Sequence, residues 1–492
     1  MLFNSFEYFL VFLPLCFAIY FYLLSKKLVV GAKIFLVCSS LFFYSWWNYS
    51  YLPILLSSMI FNYGIGNSLN GNFKKVQVSR KILLTFGVCA NLSVLGYFKY
   101  ADFLISNVNE LFGVSFGSLN LLLPLAISFF TFQQIAYLVD SYRKETAEYS
   151  FLNYSLFVTF FPQLIAGPIV HHAEMMSQFS SRFNLVKNHK NIAAGLFIFS
   201  LGLFKKVVIA DSFAAFATAG FDSSEDLAFF EAWTASLSYT FQLYFDFSGY
   251  TDMAIGAALL FNIKLPVNFN SPYKASNIQD FWRRWHMTLS RFLRNYVYFP
   301  LGGNRNGSFY TISNLMFTFV LGGIWHGAGW TFIVWGGLHG LAISVHRLWQ
   351  QLGIRLYKPL AWFLTFNFVN VAWVFFRAND WDDAIRVVGG MTDFSSISTE
   401  GFSVLKIFGE MQSSIISSNY NFFVLVEIFR DQNYAFIWIF LALILIFCRN
   451  SNQLIDRFST NALTLVFGFI CFVFSSIWIS MGAYSEFLYF NF

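Results

Sequence analysis

Charged side chains are scarce in this sequence of 492 residues. They make up 11% of it, whereas hydrophobic residues make up 57% and aromatic residues 22%. Such a composition excludes an ordinary soluble domain, in which about a quarter of the residues are charged. The net charge of +6 is also too small and too dispersed for a nucleic-acid-binding surface. The chain is therefore predicted to be an all-α polytopic membrane protein with no nucleic acid among its partners.

Cysteine is rare as well, and every cysteine lies in an apolar run. The five are Cys16, Cys38, Cys89, Cys448 and Cys471. Their spacing fits neither a disulfide framework nor a zinc site. No GxSxG elbow, P-loop or dinucleotide-binding fingerprint occurs either. No metal site and no bound cofactor are expected.

The chain also lacks internal repeats, low-complexity tracts and linkers. We therefore predict one membrane domain over residues 1–492, with its core motifs in 154–346 and an extracytoplasmic loop at about 377–433. The first apolar run, Tyr8 to Leu24, has no basic region before it and no cleavage site after it, so it is predicted to be a retained span.

Apolar runs that could form membrane-spanning helices recur along the whole chain. They begin near Tyr8, Leu28, Tyr51, Ile82, Leu119, Ile192, Phe229, Thr311, Thr331, Leu360, Tyr434 and Ala462. About twelve crossings are therefore predicted. Two further runs, Tyr154 to Val170 and Met253 to Ile263, are too interrupted or too short to cross, and we predict them to be re-entrant.

Basic residues cluster in alternate connections between these runs. The first, third and fifth loops carry Lys26, Lys27, Lys33, Lys74, Lys75, Arg80, Lys81, Arg143 and Lys144. The connection from Lys264 to Arg305 carries seven basic residues and one acid, Asp280. By the positive-inside rule, these connections are cytoplasmic and the N-terminus lies outside.

The segment from Phe281 to Tyr296 reads as one amphipathic helix. One face of its helical wheel collects Phe281, Trp282, Trp285, Leu289, Phe292, Leu293 and Tyr296, and the other collects Arg283, Arg284, Arg291 and Arg294. His286 lies at the border. The arginines suit a phosphorylated ligand, although an interfacial helix that meets lipid phosphates is by itself the more common case.

A single histidine, His326, lies in the apolar run LGGIWHGAGW. An ionisable residue in such a run is costly and marks a candidate site. Trp325 and Trp330 are predicted to form walls around it. A buried imidazole could take a proton from a hydroxyl that attacks an acyl carbon. A histidine that only bonds between helices explains the spacing equally well, but His286 and His326 together would supply both ends of an acyl-CoA site.

Other polar residues have alternative interpretations. Asp246 and Asp252, in FQLYFDFSGYTD, could orient a histidine or could cap a helix end. The adjacent His171 and His172 are typical of an interfacial position, because no carboxylate or cysteine stands at metal-ligand spacing. The remaining candidates, His339 and His346, are interpreted as helix-packing or helix-end residues.

Four stretches together resemble the membrane-bound O-acyltransferase (MBOAT) superfamily, and within it the bacterial alginate O-acetyltransferase branch. They are FFPQLIAGPIVHH (Phe160 to His172), FQLYFDFSGYTDMAIG (Phe241 to Gly256), NFNSPYKASNIQDFWRRWHMTLSRFLRNYVYFPLGGNR (Asn268 to Arg305) and GGIWHGAGWTFIVWGGLHG (Gly322 to Gly340). They cover roughly the middle third of the chain, and the hydrophobic pattern fits throughout.

This resemblance implies that His326 is the catalytic histidine and that His286 is the second histidine characteristic of the branch. It implies a ring of helices with a tunnel that leads from a cytoplasmic donor site toward the outer face. The residues expected to bind substrate are Arg283, Arg284, Trp285, Arg291, Arg294, Trp325 and Trp330.

The resemblance also implies a setting. The protein would lie in a bacterial inner membrane, take acetyl from acetyl-CoA, and pass it to an extracytoplasmic acetyltransferase of the SGNH-hydrolase type. Polysaccharide export machinery and membrane lipids would be further partners. The acceptor would be an exopolysaccharide such as alginate, while related members serve cellulose, peptidoglycan, or D-alanylation of teichoic acids.

Two other classes stay open on the residues alone. In a transporter or flippase, the histidines would relay protons and the arginines would hold a lipid-linked sugar. The missing internal symmetry argues against that interpretation. A non-catalytic scaffold of an export complex would tolerate loss of both histidines.

Overall fold

The computed structural model describes residues 1–71, 78–146, 150–397, 435–482 and 488, and all regular elements among them are helical. The α-helices are α1 (Leu13–Ser25), α2 (Val29–Ser45), α3 (Leu52–Leu69), α4 (Arg80–Phe112), α5 (Ile127–Arg143), α6 (Phe151–Thr159), α7 (Phe161–Leu164), α8 (His172–Phe179), α9 (His189–Phe204), α10 (Asp211–Phe221), α11 (Phe229–Leu260), α12 (Ile278–Arg284), α13 (Met287–Leu293), α14 (Gly307–His326), α15 (Trp330–Gln351), α16 (Lys358–Arg377) and α17 (Trp381–Thr392), followed by Ala435–Phe447, Ser451–Asp456 and Ala462–Ser480. Short π-helical segments (Glu7–Phe12, Lys205–Ala210, Arg294–Tyr298) and 3-10 turns (Tyr49–Tyr51, Arg182–Leu185, Pro272–Lys274) complete the list. The all-α prediction is confirmed.

A helix begins within four residues of eleven of the twelve predicted positions, whereas the helix expected near Leu119 begins only at Ile127. Fewer of these helices qualify as spans by themselves. Among the described residues, six helical stretches are long and apolar enough to cross: Glu7–Ser25, Arg80–Phe112, His189–Phe221, Gly307–His326, Lys358–Arg377 and Ala462–Ser480. The pair α2 and α3 qualifies only jointly and is bent by 120°. Length and composition thus support about half of the predicted crossings. Of the loop predicted at about 377–433, α17 occupies the start, and residues 398–434 lie outside the described residues.

Two helices that miss this criterion, α5 and α11, are interior. Nearly all of their side chains are buried, so other helices, not lipid, surround them. Their polar groups pair with those neighbours: Gln134 Nε2 donates to Ser58 Oγ at 2.8 Å, and Thr240 Oγ1 donates to Asn370 Oδ1 at 2.6 Å. Buried polar groups are tolerated when they are hydrogen-bonded in this way.

The two runs predicted to be re-entrant differ in outcome. In the first, the helix α6 ends at Thr159, α7 is a single turn, and every residue from 154 to 170 is buried in protein, as an interrupted backbone at membrane depth requires. The second prediction is wrong. Residues 253–260 are the end of α11, which continues for 32 residues without a break.

The segment predicted as one helix from Phe281 to Tyr296 is broken in the middle. The backbone is extended at Trp285 and left-handed at His286, with φ of 41°. The cause is the extended segment before α12: Asn270 N donates to Arg284 O, and Met287 N donates to Asn268 O, both at 2.9 Å. These bonds take the place of helical ones across the break. The predicted division into a buried aromatic face and a more exposed arginine face nevertheless holds.

Helices α9 and α11 touch backbone to backbone at two pairs of glycines. A Cβ atom at Gly202 would lie 2.6 Å from Gly249 O, and one at Gly256 would lie 2.6 Å from Gly195 O. Small residues allow such close helix contact within a membrane. This contact holds the interior helix α11 against the α9 span.

Replacing Gly256 by alanine should therefore destabilise the protein, since its methyl group would meet main-chain atoms of α9. Overpacking of this kind typically costs about 1–3 kcal/mol. The thermal unfolding temperature in detergent should fall. Gly337→Ala is the matched control, because nothing lies within 4 Å of a Cβ atom there. Equal unfolding temperatures for the two variants would contradict the close contact.

Candidate active site

His326 is the last residue of α14, and the chain becomes extended at Gly327. The side chain is 3% exposed. Aromatic rings surround its imidazole edge to face: the centroids of Trp325, Trp335 and Phe376 lie 4.8, 5.1 and 5.0 Å from its own. The predicted burial of this histidine in an aromatic environment is confirmed.

The prediction that Trp330 forms a wall around His326 is wrong. Trp330 is 59% exposed, and its Nε1 donates to Asn107 Oδ1 at 2.9 Å. It begins α15, and five residues of helix rotate Trp335 to roughly the opposite face. Trp335 is therefore the tryptophan that closes the wall, while Trp330 points away from His326.

Glycines bring α15 close enough for this contact. A Cβ atom at Gly323 would lie 2.2 Å from Phe332 O, and one at Gly336 would lie 2.5 Å from Phe319 O. The two backbones thus touch near the end of α14. Small residues on both helices therefore permit the close approach of α15 to the end of α14.

A cavity of about 620 Å³ leads to His326. It follows one stripe of α14, namely Leu315, Thr318, Phe319, Gly322 and His326, which is a helical path of about 16 Å. The exposed residues Arg283, Arg294 and Asn304 also line it. The cavity therefore joins a basic, solvent-facing mouth to a buried imidazole.

The four predicted arginines do not contribute equally. Arg283 and Arg294 are exposed at the mouth. Arg291 also lines the cavity but is held by Glu174, with N–O distances of 2.8 and 3.2 Å. Arg284 forms an ion pair with Asp280 at 2.9 Å and is not among the described residues that line the cavity. The structure thus does not bring Arg284 to this site.

Helix α15 contributes a basic residue to the mouth that the sequence analysis missed. Arg347 lines the cavity together with His346 and Gln350, and its Nε atom is buried with no hydrogen-bond partner among the described residues. Tyr298 lies nearby: burial raises the pKa of its hydroxyl, and the charge of Arg347 lowers it in part. Helical spacing could have found Arg347, because it lies about one turn beyond Ile343 and one turn before Gln350, which line the cavity with it.

His286 is more deeply buried than predicted. Its exposed fraction is 0%. It therefore lies neither between an aromatic and an arginine face of one helix nor at an interface with water or lipid. Its ring meets Phe247 at 4.9 Å and Trp325 at 6.5 Å between centroids. The two histidines therefore share Trp325 as a neighbour, but His286 is absent from the described lining of the cavity.

His286 is also under local strain. Its left-handed backbone is unfavourable for a residue with a side chain, and neither ring nitrogen has a hydrogen-bond partner among the described residues. Burial lowers the pKa of this ring to about 3, so it is neutral at physiological pH. Buried polar groups without partners are uncommon and concentrate at functional sites.

Trp285 belongs to the core and not to a binding surface. It is 1% exposed, stacks on Phe281 with 5.7 Å between centroids, and lies 5.0 Å from Trp373. The structure therefore gives no support for substrate binding by Trp285. The neighbouring Trp282 does line the cavity, and its Nε1 donates to His339 Nδ1 at 3.2 Å.

Among the described residues, the two aspartates of α11 bond to neither His286 nor His326, and neither caps a helix end. Asp246 pairs with Lys206 at 2.8 Å, and Asp252 pairs with Lys205 at 2.7 Å. Both lie within the helix and are buried. The prediction missed this because it placed a helix boundary near these residues, whereas α11 continues past them.

The adjacent histidines differ in burial. His171 Nδ1 lies 3.1 Å from Tyr296 Oη and 3.5 Å from Asp140 Oδ2. His172 is 4% exposed and its Nδ1 lies 2.6 Å from Thr146 Oγ1. Both therefore have polar protein neighbours, and His172 is a core residue where an interfacial one was predicted.

Comparison with known proteins adds an independent finding. The family model described as "MBOAT, membrane-bound O-acyltransferase family" matches residues 9–378. A peptidoglycan O-acetyltransferase of Helicobacter pylori is 47% identical over 530 residues, covering 100% of this chain and 98% of the relative.

Other similar proteins are named for action on different polymers. A probable alginate O-acetylase of Azotobacter vinelandii is 40% identical and covers 80% of this chain and 78% of its own length. A teichoic acid D-alanyltransferase of Bacillus subtilis is 28% identical and covers 51% of this chain and 67% of its own length. The similarity to the alginate relative thus extends over most of the chain, and that to the D-alanyltransferase over about half.

The cavity predicts how the histidines react with diethylpyrocarbonate, a small reagent that modifies accessible imidazoles. The exposed His189 should react fastest, His326 more slowly through the cavity, and His286 slowest. Gly322→Leu should slow the modification of His326 about tenfold, as a barrier higher by about 1.4 kcal/mol would, because the new side chain fills the path.

Peptide mass spectrometry after timed exposure measures each site. A Cβ atom at Gly322 meets only Leu293 Cδ1, at 3.4 Å, so the variant should fold. Gly337→Leu, which has open space around its Cβ atom, is the control and should leave all rates unchanged. Unchanged reactivity of His326 in Gly322→Leu would show that access does not follow this cavity.

Proposed function

Because this chain belongs to the membrane-bound O-acyltransferase family, we propose that it moves acetyl from a cytoplasmic donor to hydroxyl groups of a polysaccharide outside the membrane. It is an O-acyltransferase and a multi-pass membrane protein. The donor, the acceptor, the inner-membrane location and the roles of individual residues belong to the proposal. The single observation that carries it is the cavity between the basic mouth and His326.

The mouth is suited to the phosphates of acetyl-CoA. Arg283 and Arg347 line it without an ion pair to any described residue, so their charges are available to an anion. Arginine binds phosphate through paired, charge-assisted hydrogen bonds. The predominantly apolar walls beyond the mouth would take the pantetheine arm and lead the thioester to His326.

His326 is assigned as the general base. It takes the proton of the acceptor hydroxyl as that oxygen attacks the thioester carbonyl; the new C–O bond forms, the C–S bond breaks, and the proton passes to the departing thiolate. Attack by the imidazole itself, giving an acetyl-histidine, is the alternative path. His286 would assist from the other side of Trp325, where its neutral ring can accept a hydrogen bond.

Peptidoglycan is the acceptor that the comparisons favour. The relative named for peptidoglycan O-acetylation is 47% identical to this chain, whereas the alginate relative from Azotobacter is 40% identical. This changes the preference from the alginate-like exopolysaccharide suggested by the motifs, which becomes the second candidate. D-alanylation ranks lower, because the D-alanyltransferase of Bacillus covers about half of the chain.

Because the polysaccharide acceptor lies outside the membrane, a second protein would have to carry the acetyl group to it. An extracytoplasmic acetyltransferase of the SGNH-hydrolase type would receive the acetyl group, and polysaccharide export components would deliver the acceptor. The basic connections at the cavity mouth support the inner membrane as location and a cytoplasmic donor.

Replacing His326 by alanine should abolish acetyl transfer. Loss of a general base lowers the rate by about 10²–10⁴-fold. The assay is transfer from radiolabelled acetyl-CoA in membrane vesicles, together with the O-acetyl content of peptidoglycan and exopolysaccharide from the same cells. His189→Ala, a change at an exposed histidine, is the control. Normal transfer in His326→Ala protein present at normal membrane levels would refute the assignment.

Replacing Arg283 or Arg347 by glutamine should raise the KM for acetyl-CoA about tenfold or more, since a hydrogen bond to a charged group contributes roughly 1.5–3 kcal/mol. The kcat should change little, because both arginines would bind the phosphates of the donor and not the reacting thioester. Arg355→Gln serves as the control: this arginine is exposed beyond the end of α15 and does not line the cavity. A lower kcat at unchanged KM would contradict donor binding at the mouth.

A further inference from the structure

Lys99 lies in the middle of α4, a span whose residues from Ile82 to Ala101 otherwise carry no charge. A lysine inside an apolar span is costly and calls for a specific partner. Its partners are at the candidate site: Lys99 Nζ donates to Trp325 O at 2.6 Å and to His326 O at 3.0 Å. It also lies 3.3 Å from Ser128 Oγ on α5.

These contacts give each N–H donor of the ammonium group an acceptor. An ammonium has three donors, and three acceptors surround this one. Two are carbonyls of the last turn of α14, which have no partner within their own helix. The charge also lies 5.9 Å from the centre of the Trp325 ring and at the negative end of the helix dipole. Lys99 therefore ties α14 to α4 and α5 at the residue that carries the imidazole.

The chain beyond His326 offers little restraint of its own. Gly327 and Gly329 are both extended, and the last intrahelical bond, from Gly327 N to Gly323 O, is long at 3.3 Å. Without Lys99, the carbonyls of Trp325 and His326 would lose a buried donor. The last turn could then rotate, and both rings would move with it.

We propose that Lys99 is a positioning residue that sets the orientation of the His326 imidazole at the end of the cavity. The inference rests on the proposed role of His326 and adds to it the element that holds that side chain in place. Lys99 touches two main-chain oxygens and Ser128 Oγ, and it is not among the described residues that line the cavity, so it acts through His326 and not on the donor.

The test is Lys99→Met, which keeps the length and apolar stem of the side chain and removes the donors. The kcat for acetyl transfer should fall about a hundredfold, the loss that misplacement of a catalytic group by about 1 Å causes. The KM for acetyl-CoA should stay the same, since the arginines lie on other elements. Lys99→Arg, which restores a charged donor, should recover part of the kcat.

Tyr100→Phe is the matched control. Tyr100 Oη donates to Ile324 O at 2.6 Å, so this change removes a bond to the same turn of α14, but a neutral one at the preceding residue. It should lower kcat by less than about tenfold, because a single neutral hydrogen bond contributes about 0.5–1.5 kcal/mol. Equal losses in Tyr100→Phe and Lys99→Met would indicate a general loss of helix stability and overturn the proposal.

The rate of His326 modification by diethylpyrocarbonate separates this proposal from the assigned reaction, because it requires no turnover. It should change in Lys99→Met while that of His189 does not. Unchanged modification together with unchanged kcat would overturn the positioning role. If Lys99→Met does not accumulate in membranes, Lys99→Leu also removes the donors within an apolar side chain, and full kcat in that variant would overturn it equally. Activity of His326→Ala would instead refute the assigned reaction.

Discussion

The contact between the backbones of α14 and α15 is the constraint on which the candidate site depends. Gly323 and Gly336 leave no room for a side chain where the helices cross. At this crossing, Trp335 packs against His326. The cavity stays open along the stripe of α14 from Leu315 to His326. Lipid supplies no hydrophobic force between helices, so close packing of small residues must hold such a crossing together.

Charge is distributed around this crossing in two different ways. The interior charges are paired: Lys206 lies between Asp246 and Asp211, and Lys99 binds carbonyl oxygens. At the mouth, Arg283 and Arg347 face the cavity without such partners among the described residues. In the interior, the partner groups offset the desolvation penalty of the buried charges. At the mouth, the positive charges are available to a ligand. Lysines are therefore paired in the interior, whereas arginines form the binding surface at the mouth.

Sequence patterns predicted the structure correctly where the environment of a residue depends mainly on its neighbours along the chain. His326 stands alone in an apolar run, so its burial followed directly from the sequence. They failed where a distant segment decides. Hydrogen bonds with Asn268 and Asn270 break the predicted helix at His286. For Arg284 the cause is local instead: Asp280, one helical turn away, holds it in an ion pair. Trp330 was chosen over Trp335 because it is nearer in sequence, although helix rotation favours the more distant residue.

The amino-acid sequence by itself determined the all-α membrane class, the family, and His326 as the central candidate, because composition and long motifs carry that information locally. Only the tertiary structure decided which arginines reach the cavity, that α11 is a single interior helix, and that Lys99 holds the end of α14. The physical reason is that hydrogen bonds and packing between α4 and α14 join residues more than two hundred positions apart, and no local pattern along the chain records such a pairing.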